Sequence, residues 1–156
     1  MMKKLYLAYG SNLNLEQMKK RCSYAIPIGV TTINNYCLVY KGLSKGSAYL
    51  TIEEKDGSFV PVGIYEISFL DEISLNKYEG YPRFYHKKYL PITINNNMNQ
   101  AMIYIMNSKY DYNLPSNDYV NICMKGYDDF NFDKDILQEA MSFTKSKLNN
   151  GRTRKK

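Results

Sequence analysis

Apolar residues first gather at residues 5–9, Leu5-Tyr6-Leu7-Ala8-Tyr9, a run that stops at Gly10. A short apolar run without alternation predicts a strand buried on both faces. Ser11-Asn12-Leu13-Asn14 then reads as a turn, and Asn14 can cap a short helix over residues 15–21 with Leu15 and Met18 on one face. Residues 24–32 and 36–40 are rich in β-branched and aromatic types, and Asn34-Asn35 between them is a turn signal, so two strands are predicted. Residues 48–53 predict another strand, closed by Lys55-Asp56-Gly57-Ser58. Residues 60–67 predict the next, with Pro61 confining it to an edge or a strand start.

At residue 68 the period changes. Leu70, Ile73, Leu75 and Tyr78 recur near helical spacing, and Gly80 and Pro82 end that helix. Residues 86–94 and 101–106 are two more predicted strands, joined by Asn95-Asn96-Asn97. Ser116 caps a helix over residues 117–126, with Gly126 just past its end, and residues 133–148 form a last helix with Ile136, Ala140 and Phe143 inward. About seven short strands followed by two helices is an α+β pattern, not an alternating parallel one. So many short strands imply a small mixed or barrel-like sheet, which removes free edges. One domain over residues 1–148 is expected, with residues 149–156 as a flexible basic tail, because Asn149-Asn150-Gly151 continues a helix poorly.

Composition narrows the function. The chain has 156 residues, 44% hydrophobic and 23% charged, which is ordinary for a globular domain. No apolar run nears the ~18 residues of a membrane span, and the one at the N-terminus is too short for a secretory leader, so a cytoplasmic protein is expected. The net charge is +6, but Arg152, Arg154, Lys155 and Lys156 supply four of those charges. That tail reads either as a contact for nucleic acid or another anionic surface, or as a solvated terminus. The second reading carries more weight, because no aromatic-rich basic stripe accompanies it. Cys22, Cys37 and Cys123 are too few and too dispersed for a disulfide framework or a zinc site, and read as reduced thiols. His86 is the single histidine, which excludes a His-rich metal site. A Ser-His-acid triad would have to use it, and no Gly-x-Ser-x-Gly elbow is present.

Two segments carry candidate chemistry. In Tyr9-Gly10-Ser11-Asn12-Leu13, glycine permits close backbone approach, consecutive amides can form an anion nest, and Ser11 and Asn12 add polar side chains. In Tyr78-Glu79-Gly80-Tyr81-Pro82, a carboxylate at a helix end is bracketed by tyrosines that would desolvate it and suit it to general-base work. Glu79 is the only acidic residue between Tyr78 and Tyr85. Taken singly, the first also reads as a capped turn and the second as a solvated helix-terminal glutamate. Sixteen tyrosines and no tryptophan offer apolar walls with polar handles.

Together these segments resemble the γ-glutamylcyclotransferase family, with its AIG2-like and BtrG-like relatives. The resemblance rests on five pieces in order. They are Tyr9-Gly10-Ser11-Asn12-Leu13; Val62-Gly63-Ile64-Tyr65-Glu66-Ile67; Leu75-Asn76-Lys77-Tyr78-Glu79-Gly80 followed by Tyr85; the strand at residues 101–106; and Leu114-Pro115-Ser116-Asn117-Asp118-Tyr119 with Gly126. The chain departs from the pattern at Asn76, where some members have Asp, and at Lys45-Gly46-Ser47, where some relatives carry a His-Gly-Gly-like segment. The resemblance implies a cofactor-free, metal-free intramolecular aminolysis that converts a γ-glutamyl amino acid, peptide or amine into 5-oxoproline and a free amine. Glu79 would be the catalytic acid/base. Tyr9, Gly10, Ser11, Asn12, Leu13, Tyr85, Tyr104 and Tyr119 would bind substrate, in a monomer or homodimer. A non-catalytic small-molecule binder on the same fold is the competing reading, and a nucleic-acid-associated protein using the tail is a third.

Overall fold

The computed structural model describes residues 3–154. One six-stranded sheet curls into a half-barrel, and four α-helices attach to it. In chain order the elements are β1 (Lys4–Ala8), a 3-10 turn (Ser11–Leu13), α1 (Leu15–Arg21), β2 (Ile26–Gly42), β3 (Ala48–Ile67) and α2 (Phe69–Tyr78). Then follow β4 (Tyr85–Ile94), β5 (Asn97–Met106), β6 (Asp111–Tyr112), α3 (Asn117–Asp129) and α4 (Asp135–Arg154). The strand order is β4-β5-β1-β3-β2-β6. β1 runs parallel to β5 and antiparallel to β3, and the consecutive residues Tyr6, Leu7 and Ala8, which alternate between its two faces, are all buried, which accounts for its unbroken apolar run.

The seven expected strands become five, and the sixth strand, the two-residue β6, has no counterpart in the sequence reading. Residues 24–32 and 36–40 are not separate strands: β2 runs through them, and β3 likewise joins residues 48–53 to 60–67. The turn signals are genuine, but they build a bulge rather than a chain reversal. Asn34 pairs with Phe59 and Tyr36 with Glu54, so one residue of β2 faces four of β3. Asn35 (φ 66°) and Gly57 (φ 83°) take left-handed conformations there, and the Gly57 amide donates to Asn35 Oδ1 at 3.1 Å. Pro61 sits on β3 beyond Gly63, where pairing with β1 has ended, so it occupies a local edge. Asn95 and Asn96, both with positive φ, close the β4–β5 hairpin as a tight two-residue turn.

Each of the four helices corrects the sequence reading. Leu70 and Ile73 of α2 are exposed, while its buried face holds Asp71, Glu72 and Leu75. Asp71 completes a capping box with Ser68, and Glu72 accepts from Lys87 at 2.6 Å and pairs with Lys4 at 3.0 Å. Charged residues thus occupy that face because partners await them on β1 and β4. In α1 only Met18 is buried, and Leu15 is exposed. Gly126 does not end α3 but lies inside it: a Cβ there would stand 2.6 Å from the Asn14 amide nitrogen. In α4 the buried face is Leu137, Ala140 and Thr144, with Ile136 and Phe143 only half-buried. α4 also continues past the expected stop at Leu148 to Arg154, so residues 149–154 are helical. Lys155 and Lys156 lie outside the described residues. No described helix is long and apolar enough to cross a membrane. All three cysteines are free; Cys22 and Cys123 are buried, and burial pushes both thiols up to about 12.

Candidate functional site

The site begins where β1 ends. Leaving the sheet after Ala8, the chain makes the 3-10 turn, whose first internal bonds are Leu13 N to Gly10 O at 3.0 Å and Asn14 N to Ser11 O at 3.1 Å. The amides of Gly10, Ser11 and Asn12 precede these bonds and have no acceptor within the turn. Leu13 anchors the turn from below. It is fully buried, and two glycines make room for it: a Cβ on Gly63 of β3 would come 2.9 Å from its Cδ2, and one on Gly126 of α3 2.8 Å from its Cβ. The turn is therefore wedged between sheet and helix at heights that only these glycines allow.

α2 delivers the carboxylate. Glu79 caps its C-terminus, where its amide bonds back to Leu75 O at 2.8 Å, and Gly80 at φ 63° turns the chain away. A cavity of about 360 Å³ lies between this helix end and the 3-10 turn. It is bordered by Tyr9, Gly10, Ser11, Asn12, Glu79, Tyr85, Tyr104 and Tyr119, all expected from the sequence, together with Tyr6, Tyr49, Leu50, Tyr78 and Phe84. Leu13, expected to bind substrate, does not border the cavity; its side chain belongs to the core and its amide is spent inside the turn. Lys45-Gly46-Ser47 stands away from it as well, in the β2–β3 connection, where the Gly46 amide donates to Leu114 O at 2.8 Å.

The tyrosine walls spend their hydroxyls on the framework. Tyr9 donates to Tyr104 O at 2.6 Å, Tyr85 to Leu50 O at 2.8 Å, and Tyr104 to Asn76 Oδ1 at 2.7 Å. Tyr119 accepts from the Leu50 amide at 3.0 Å. What these side chains offer the cavity is therefore mainly apolar ring surface. Asn76, one of the positions of departure, holds the Tyr104 hydroxyl.

Asn12 is the hub. Its Nδ2 donates to Tyr6 Oη at 2.8 Å and to Glu79 Oε1 at 3.3 Å, its Oδ1 accepts from Arg21 at 2.6 Å, and its carbonyl accepts from Tyr65 at 2.7 Å. Burial among the rings pushes the Glu79 carboxyl up to about 7, against the pull of the Arg21 charge and the Asn12 hydrogen bond. The negative end of the α2 dipole acts in the same direction as burial. Two other carboxylates, Glu53 and Glu66, are engaged elsewhere: Glu53 with Lys41 and Tyr112, Glu66 with Lys3. Arg21 and Tyr6 are participants that the sequence reading missed. Tyr6 could have been found from its i, i+6 spacing to Asn12 only with the turn geometry in hand, and nothing distinguished Arg21 from its lysine neighbours. Among the described residues, no group of three or more His, Cys, Asp or Glu could hold a metal ion.

Comparison with known proteins bears on this geometry. A solved structure named Gamma-glutamyl cyclotransferase superposes with a TM-score of 0.76 at 20% identity, covering 90% of this chain and 87% of its own. A human protein described as uncharacterized gives 0.75 at 20% identity, with 90% and 88% coverage. The YkqA protein of Bacillus subtilis gives 0.71 at 15% identity, covering 94% of this chain and 55% of its own. At such identities the likeness speaks for the fold. A search of curated proteins finds no match. The sequence profile described as "Gamma-glutamyl cyclotransferase, AIG2-like" matches residues 6–121. That span opens on Tyr6 of the Asn12 hub, includes Glu79 and closes just after Tyr119. The matched stretch thus takes in both walls of the cavity as well as the sheet beneath it, and the chain belongs to the γ-glutamyl cyclotransferase, AIG2-like family.

Proposed function

We propose that this chain converts a γ-glutamyl amino acid, peptide or amine into 5-oxoproline and the free amine. The α-amine of the substrate attacks its own γ-carbonyl, a five-membered lactam closes, and the C–N bond to the leaving amine breaks. The obstacle is protonic, because an α-amine with a pKa near ~8 is largely ammonium at neutral pH. Glu79, at about 7, lies within roughly one unit of that value, so it can accept the ammonium proton and later return it to the departing nitrogen. The Gly10, Ser11 and Asn12 amides supply donors for a substrate oxygen, either the α-carboxylate or the γ-carbonyl as it becomes an oxyanion. Walls of Tyr85, Tyr104 and Tyr119 exclude water and hold the γ-glutamyl chain folded, an orientation effect worth several kcal/mol.

The observation that carries this reading is the meeting of a raised carboxylate with a donor-rich turn across one cavity, bridged by Asn12 at 3.3 Å from Glu79. The experiment is incubation with γ-glutamyl amino acids, glutathione and γ-glutamylamines, reading 5-oxoproline. Turnover of at least one class, abolished in Glu79→Gln, is expected. Binding of these compounds without lactam formation would favour the non-catalytic alternative.

A further inference from the structure

Arg21 is the last of three consecutive cations that end α1. Lys19 and Lys20 point to solvent, the latter pairing with Glu16 at 3.6 Å on the surface. Arg21 turns inward instead. Its Cζ lies 3.6 Å from the Tyr78 ring centroid, Nη1 donates to Asn12 Oδ1 at 2.6 Å, and Nη2 donates to Gln17 Oε1 at 3.1 Å. One guanidinium thus ties the 3-10 turn to the end of α2. Tyr78 closes the same link from its other end, with its hydroxyl 3.1 Å from Ser11 Oγ.

A guanidinium carries only donors, so the Asn12 carboxamide must present its oxygen to Arg21 and its NH2 to the opposite side. That side holds Tyr6 Oη and Glu79 Oε1. Turned over, the amide would aim oxygen at a carboxylate and NH2 at a cation, unfavourable at both ends. We propose that Arg21 is a positioning residue for Glu79: it locks the Asn12 amide with its donor toward the carboxylate and supplies the positive charge that keeps this carboxylate able to ionise. The role as acid/base rests on the function proposed above; the coupling of Arg21 to Glu79 does not.

The surroundings leave this task to Arg21. The other titratable groups facing Glu79 among the described residues are tyrosines: Tyr6 and Tyr9 from the β1 segment, Tyr78 from α2, Tyr85 from β4 and Tyr104 from β5. Burial raises all five above their ordinary value, so they stay neutral through pH 7. Lys77 borders the same cavity from α2, but Arg21 is the cation that acts against burial at Glu79.

The test reads Glu79 directly, by NMR titration of carboxyl-13C glutamate in the free protein, with the Glu79 signal assigned by its loss in Glu79→Gln. In Arg21→Gln the Glu79 titration is expected to move up by about one pH unit or more. The acid limb of kcat/KM should move with it, with KM little changed. Arg21→Lys keeps a charge but lacks the planar fork, so it should fall between Arg21→Gln and wild type. Arg21→Met, which keeps an apolar stem over the Tyr78 ring, gives the same readout should the Gln variant fold poorly. A Glu79 titration unmoved in both Arg21→Gln and Arg21→Met overturns the proposal, whatever happens to activity or melting temperature. If the wild type makes no 5-oxoproline from any γ-glutamyl compound, the proposed function fails, and the titration still decides what Arg21 does to Glu79.

Discussion

Glu79→Gln tests the electrostatics of the site without reference to any substrate. The carboxyl sits at about 7 against an ordinary 4.5, so the folded protein holds this proton more tightly than the unfolded chain does. The sign follows from linkage: the native state is favoured while Glu79 is protonated, and stability declines as pH rises from about 4.5 to about 7, then levels off. A gap of about 2.5 units at ~1.36 kcal/mol each comes to about 3 kcal/mol, a ceiling because water in the open cavity screens the charge. Glutamine keeps the shape and the carbonyl that accepts from Asn12, but never ionises. The variant should therefore match wild type near pH 4.5 and melt higher at pH 8.5, by up to roughly 6–12 °C at ~2–4 °C per kcal/mol. Calorimetric melts of both proteins across that range give the difference curve. Turnover should move the other way, falling about 10²–10⁴-fold as expected for loss of a general base. Wild-type and Gln melting curves that stay parallel from pH 4.5 to 8.5 would show that no ionisation is resisted at Glu79, and the assignment of this carboxylate would fall with it.

Three further outcomes follow from the packing. Gly126→Ala drives a Cβ to 2.6 Å from the Asn14 amide nitrogen; overpacking of this kind costs about 1–3 kcal/mol, read by denaturant unfolding, and because it displaces the turn, activity should drop as well. Tyr119→Phe removes the acceptor of the Leu50 amide while leaving the ring, and should cost about 1–3 kcal/mol in the same assay. Glu72→Gln strands the half-buried Lys87, and a loss of about 3 kcal/mol at pH 7 is expected. Its two lysines hold the Glu72 carboxyl below its ordinary value, so that contribution should fade in wild type as pH falls through this lowered value, and acid titrations of wild type and variant should converge there.

Most of the fold was legible because its signals are local. The Asn14 and Ser116 caps, the Leu5-to-Ala8 run and the β4–β5 hairpin all follow from side chains a few residues apart. The errors arise where a local signal is answered by a distant partner. Asn34-Asn35 looks like a chain reversal until the Gly57 turn on the facing strand absorbs the same kink, so that two long strands bend together. Asp71 and Glu72 look like the solvent face of α2 until Ser68, Lys4 and Lys87 are found to satisfy them, after which Leu70 and Ile73 are left outside.

The site divides along the same line. Tyr9 to Asn12 and Glu79 are recognisable because each belongs to a short motif. What makes them one site, however, is written in single residues with no motif of their own. Leu13 fits under the turn only because Gly63 and Gly126, far apart in sequence, both lack a Cβ. Its place in the motif is thus explained by packing, with its side chain in the core and outside the cavity lining. Arg21 follows two lysines at a helix end, where any cation is favourable, so its sequence context predicts a solvated charge. The Asn12 oxygen and the Tyr78 ring, the latter delivered from a helix that begins 48 residues later, hold it in the inward rotamer. Spacing can report which residues supply the chemistry; which neighbour sets the proton affinity of Glu79 depends on how two helix ends meet.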